Sequence, residues 1–126
     1  MTAPRFERTP DALGPVVQGF AGTLFRIDGG AVASALLTPE RALPWTPPAL
    51  EGLGADHVAP LLAIAPAPEF VLLGTGPIMA MPPRAFIAAL EDKGIGVEAM
   101  DSRAAARAWG LLRGEGRWIA AALMPL

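Results

Sequence analysis

The stretch 70–123 constrains the fold more than any other part of the chain. It opens with Phe70-Val71-Leu72-Leu73, a continuous apolar run of the kind that is buried on both faces of a sheet. Gly74-Thr75-Gly76-Pro77 breaks the run, and Pro82-Pro83 opens an amphipathic segment. There Phe86, Ile87, Ala89 and Leu90 face inward, while Arg84, Ala88, Glu91 and Asp92 face out. Gly94 ends that helix, and Ile95-Gly96-Val97-Glu98-Ala99-Met100 reads as a second strand. Asp101 caps a second helix to about Arg113, with Ala105, Trp109 and Leu112 along its apolar stripe. Gly114-Glu115-Gly116 then turns the chain into a closing strand, 117–123. Strand, helix, strand, helix, strand in so short a span implies two right-handed crossovers, so these three strands are expected to be parallel.

The first half adds antiparallel structure. A strand-like pattern over 20–27, the turn signal Asp28-Gly29-Gly30 and the apolar run 31–37 predict a hairpin that Thr38-Pro39 ends. That hairpin must join the same sheet or pack as a second layer. Leu43-Pro44-Trp45-Thr46-Pro47-Pro48 reads as a short edge strand whose tryptophan covers the core, although an exposed Trp45 would be a contact for a partner. Val58, Leu61, Leu62 and Ile64 mark a short amphipathic helix with Pro60 in its first turn, stopped by Ala65-Pro66. Residues 1–15 carry three prolines and mixed charges and are expected as an extended arm. Residues 16–126 are expected as a single α/β domain of three layers: a central mixed sheet, with an N-terminal β-hairpin followed by βαβαβ crossovers.

Composition limits the functions open to such a domain. Lys+Arg of 10 against Asp+Glu of 12 leaves a net charge of −2, which argues against nucleic acid as the main partner. A hydrophobic content of 52% with 17% charged residues excludes a mostly disordered chain. No apolar run reaches the ~18 residues of a membrane-spanning helix, and the N-terminus lacks the apolar core of a secretory signal. The absence of cysteine fits a reducing compartment, so the expected location is the cytoplasm, the inner face of the membrane included.

Reactive side chains are scarce. There is no cysteine and no tyrosine, and His57 is the sole histidine. A thiolate nucleophile, a disulfide framework and a Cys/His zinc site are therefore excluded, and no metal or cofactor is expected. A Ser-His-Asp arrangement needs Ser34 or Ser102 to meet His57, yet Ser34 lies inside an apolar run and Ser102 at a helix start. Glu91, Asp92, Glu98 and Asp101 read as helix-surface, strand and capping residues. Catalysis is disfavoured.

Two features remain with functional potential. Gly74, Thr75 and Gly76 lie after a buried strand and before a helix, where backbone N–H groups can approach an anion and Arg84 can supply a charged partner. The loop matches neither GxxxxGK[ST] nor GxGxxG, and its plain alternative is a sharp turn that needs glycine φ angles. Met79 and Met81 sit in a connection unusually apolar for its place, and suit adaptable contacts with a protein partner. Arg103 and Arg107, one helical turn apart, form a small basic stripe that is either a solvated face or a docking site for an acidic partner.

Several short pieces recur together in one known family. They are the run 71–76, the Pro82-Pro83 helix start, Gly94-Ile95-Gly96-Val97-Glu98, Asp101 before an Ala-rich helix, Glu115-Gly116-Arg117, and Ala120-Ala121-Ala122-Leu123. In their order and spacing the chain, over roughly residues 16–126, resembles the small single-domain family that includes mitochondrial NADH:ubiquinone oxidoreductase (complex I) assembly factor 3 and uncharacterised bacterial and archaeal relatives. The resemblance implies a three-layer fold with a central mixed sheet and no established catalytic residues. For the mitochondrial relatives it implies a non-catalytic role in assembling a membrane complex through protein partners. Two expectations follow: a protein-interaction module, peripheral to a membrane or not, or a small-anion or metabolite-binding protein, enzymes included, using Gly74, Thr75, Gly76 and Arg84.

Overall fold

Alternation of side chains along two central strands organises the molecule, whose computed structural model describes residues 14–126. Strand β6 (Phe70–Gly74) sends Val71 and Leu73 to one face of the sheet and Leu72 to the other. Strand β8 (Ala120–Leu123) divides Ala120 and Ala122 from Ala121 and Leu123 in the same way. Both strands lie inside a five-stranded sheet with the order β5-β4-β8-β6-β7. Its other members are β4 (Ala35–Leu37), β5 (Ala42–Pro44) and β7 (Gly96–Met100). β6 is parallel to both β7 and β8, whereas β4 runs antiparallel to β8 and β5. The sheet is mixed, and its parallel part is the one the crossovers require.

Each face of this sheet has its own core. On one side Val71, Leu73 and Ala122 meet Phe86 and Leu90 of α2 (Arg84–Glu91), with Leu53, Val58 and Leu61 from the connection after β5. That connection comprises 3₁₀ turns at Leu50–Gly52 and Ala55–Val58 and the single turn α1 (Ala59–Leu62). On the other side Leu37, Leu72 and Ala121 meet Ala105, Ala106 and Trp109 of α3 (Ser102–Gly114). Fully buried Leu61, Leu73, Phe86 and Leu90 each contribute roughly 1.5–3 kcal/mol relative to exposure. The sequence-expected inward faces of both long helices point to the cores, with Phe86, Leu90, Ala105 and Trp109 buried and Ile87, Ala89 and Leu112 half-buried.

The N-terminal hairpin forms a layer of its own, a separate antiparallel sheet in the order β1-β2-β3. Its strands are β1 (Val17–Ala21), β2 (Leu24–Ile27) and β3 (Gly30–Val32). Two boundaries differ from expectation. The stretch 20–27 is interrupted by a turn at Gly22-Thr23, and the run 31–37 is interrupted at Ala33-Ser34, so that its two halves belong to different sheets. Each segment is largely apolar, and nothing in its alternation marks the break. The Asp28-Gly29 turn forms as expected, with both residues at positive φ (51° and 86°). Phe25 and Ile27 of β2 complete the core beneath α3. The expected arm over 1–15 lies, apart from its last two residues, outside the described residues; the Pro15 carbonyl accepts the Trp109 indole N–H at 2.9 Å.

Candidate functional site

The carboxyl ends of β6, β7 and β8 meet the N-terminus of α3, and Ser102 joins them. This buried hydroxyl donates to the Met124 carbonyl at 2.8 Å and accepts the Gly76 N–H at 2.8 Å. In return the Ser102 N–H donates to the Gly76 carbonyl, also at 2.8 Å. Asp101 caps the helix, its carboxylate accepting the Ala104 N–H at 2.9 Å. Gly74 permits the close approach: a Cβ there would stand 2.7 Å from Ser102 Oγ and 2.9 Å from Ser102 Cα. The sequence argues against Ser102 as a nucleophile, and its position in the structure is that of a buried structural clasp.

The structure brings Gly74, Thr75 and Gly76 together at this sheet end, with most of their polar groups committed inside the chain. The Thr75 N–H donates to the Met100 carbonyl at 2.8 Å, and the Gly76 N–H goes to Ser102. The Thr75 hydroxyl donates to the Ile78 carbonyl at 2.7 Å and accepts the Ala80 N–H at 3.1 Å. Arg84 is exposed at the first position of α2, and among the described residues no hydrogen bond links it to the glycine loop. Thr75 therefore holds the following loop in shape. That loop presents Ile78, Met79 and Met81 at 72, 52 and 64% exposure.

The basic stripe on α3 divides. Arg107 is exposed, whereas Arg103 is half-buried with its guanidinium 5.4 Å from the centre of the Phe20 ring. Arg113, further along α3, is buried: it donates to the Arg117 carbonyl at 2.5 Å, lies 6.0 Å from the Trp109 ring, and burial lowers its pKa. Glu69 and Arg117 form an exposed ion pair at 2.7 Å. The Arg117 hydrogen bond holds the Glu69 carboxyl below the usual carboxylate range, and Glu69 in turn raises the arginine. His57 sits at the surface, where its Nδ1 accepts the Gly54 N–H at 2.9 Å. Among the described residues no three His, Cys, Asp or Glu side chains are grouped to hold a metal, and no helix is long and apolar enough to cross a membrane.

A groove of about 780 Å³ runs beside the strand ends, between Trp45, Pro47 and Pro48 on one flank and Gly76, Pro77 and Pro125 on the other. Trp45 is half-buried and packs against the core, and its indole N–H donates to the His57 carbonyl at 2.8 Å. Sequence reasoning weighs Trp45 singly and misses the groove, because its walls come from segments about 30 to 80 positions apart in the chain. A smaller depression of about 310 Å³ lies elsewhere, between Pro39–Arg41 and Trp118.

Comparison with known proteins assigns the chain to a lineage. The family model described as protein of unknown function (DUF498/DUF598) matches residues 17–124. An uncharacterised protein of Rhodobacter capsulatus is 36% identical over 124 residues, covering 90% of this chain and 94% of that one. The crystal structure of a Bordetella parapertussis protein superposes with a TM-score of 0.78 at 29% identity, covering 89% of this chain and 96% of the other. The solution structure of a Bordetella pertussis protein, described as a Mth938-like domain, superposes with a TM-score of 0.76 at 24% identity, covering 97% and 92%. With the family model spanning both sheets and both long helices, the chain belongs to the DUF498/DUF598 family.

Proposed function

We propose that this chain is a non-catalytic protein-interaction module whose contact surface centres on the loop bearing Met79 and Met81. The observation that carries this reading is the exposure of Ile78, Met79 and Met81 on a backbone fixed by Thr75. Three large apolar side chains held out in water lower solubility unless a partner covers them, and methionine adapts to varied surfaces. Arg107, exposed on α3, adds a cationic contact, with Arg103 beside it along the helix. The resemblance to the complex I assembly factor 3 family supports a role in assembling a membrane complex through protein partners. The test is recovery of partners from the native host with the wild-type chain and with Met79→Ser/Met81→Ser. Loss of a specific partner from the variant is expected; unchanged recovery removes the loop from the account.

The alternative, an anion or metabolite at Gly74, Thr75, Gly76 and Arg84, gains no support from the loop's hydrogen bonds, because the Thr75 and Gly76 N–H groups are already taken. It predicts thermal stabilisation by nucleotides, phosphates or carboxylates that Arg84→Ala abolishes.

A further inference from the structure

We propose that the groove beside the strand ends is a binding site for a neutral, predominantly apolar small molecule, of hydrocarbon rather than anionic or peptidic character. Its volume of about 780 Å³ falls in the range of small-molecule sites. It also lies past the carboxyl ends of parallel β6 and β8, bounded there by Thr75 and Met124, where α/β sheets collect ligands.

The lining specifies the ligand's chemistry. Among the fifteen described residues that line the groove none is ionisable, although 17% of the chain is charged. A charged ligand would lose its hydration there without gaining a counter-charge. A peptide would need partners for its own N–H and C=O groups. Five of the lining residues are prolines, which have no N–H to offer. Three polar groups of the wall are engaged within the chain: the Ser34 hydroxyl with the Trp45 carbonyl at 2.6 Å, the Thr75 hydroxyl with Ile78, and the Gly76 N–H with Ser102. The Trp45 indole is likewise tied to His57, which fixes its ring as an apolar surface. What remains is an uncharged, largely apolar wall that suits a hydrocarbon better than an ion or a peptide. This site is separate from the methionine loop, since Ile78, Met79 and Met81 are not among its lining residues.

The test uses the neutral fluorophore N-phenyl-1-naphthylamine with the full chain. Saturable enhancement is expected, with emission sensitised by tryptophan excitation. Trp45→Phe should reduce the sensitised part and keep the directly excited part, because Trp45 is the one tryptophan among the described lining residues and stands nearest the probe. Val32→Asp and, independently, Thr46→Asp each place a charge in the wall and should weaken the probe about tenfold or more. Leu111→Ser, which removes an exposed apolar side chain on α3, should leave binding unchanged. Circular dichroism confirms that each variant is folded, and 1-dodecanol should displace the probe. The proposal is overturned by non-saturable binding, or by equal affinity in both folded Asp variants. Stronger displacement by acetyl-Pro-Leu-Pro-Leu-Pro-amide than by dodecanol assigns the groove to a peptide and overturns it as well. So does probe emission that falls as protein concentration rises while light scattering shows the mass doubling, since a second copy then covers the groove.

Discussion

At the scale of single residues, the sheet end depends on the fit between Gly74 and Ser102. Gly74 is required by space rather than by φ, since an added methyl would sit 2.9 Å from the Ser102 backbone. Gly74→Ala should therefore cost roughly 1–3 kcal/mol, read from denaturant unfolding. Ser102→Ala should cost about 1–3 kcal/mol, because it removes the partner of the Gly76 N–H and a donor to Met124. The double variant should recover only part of the loss, because the added methyl still crowds the backbone at position 102. Glu69 yields a prediction in pH. Its folded pKa is depressed by Arg117, so its stabilising effect is present above the unfolded value and fades as pH falls through the folded one. Both partners are well exposed, so the effect is small and screened. The stability difference between wild type and Glu69→Gln should shrink on acidification and in high salt, and a difference that grows on acidification contradicts the assignment.

Elements differ in how legible they are in the sequence. α2 and α3 can be read from it because Pro82-Pro83, Gly94 and Asp101 punctuate them and their apolar faces repeat with helical period. β6 is legible as an unbroken apolar run bounded by glycine. The strand breaks at Gly22-Thr23 and Ala33-Ser34 are not, because sheet membership is decided by pairing with distant strands, and Ala35 meets Leu123. The candidate loop is legible as apolar, while the commitment of its N–H groups is hidden because the decisive partner, Ser102, lies 26 residues away. Asp101→Ala should lower stability by about 1 kcal/mol through loss of the α3 cap, measured by thermal or urea unfolding.

At the scale of the whole molecule, two buried cores hold one mixed sheet, and the apolar side chains they leave outside are few. Ile78, Met79 and Met81 are three of the five large hydrophobic residues exposed among the described residues, and all three lie in one loop. Under the proposed contact function, this loop is the surface that a partner covers. The most direct test places a photoreactive diazirine amino acid at position 79 or, for comparison, at exposed position 111, in the native host. Illumination is predicted to give a discrete protein adduct from position 79 that position 111 does not give. No adduct at 79, or the same adducts from both positions, would contradict a contact function for the loop.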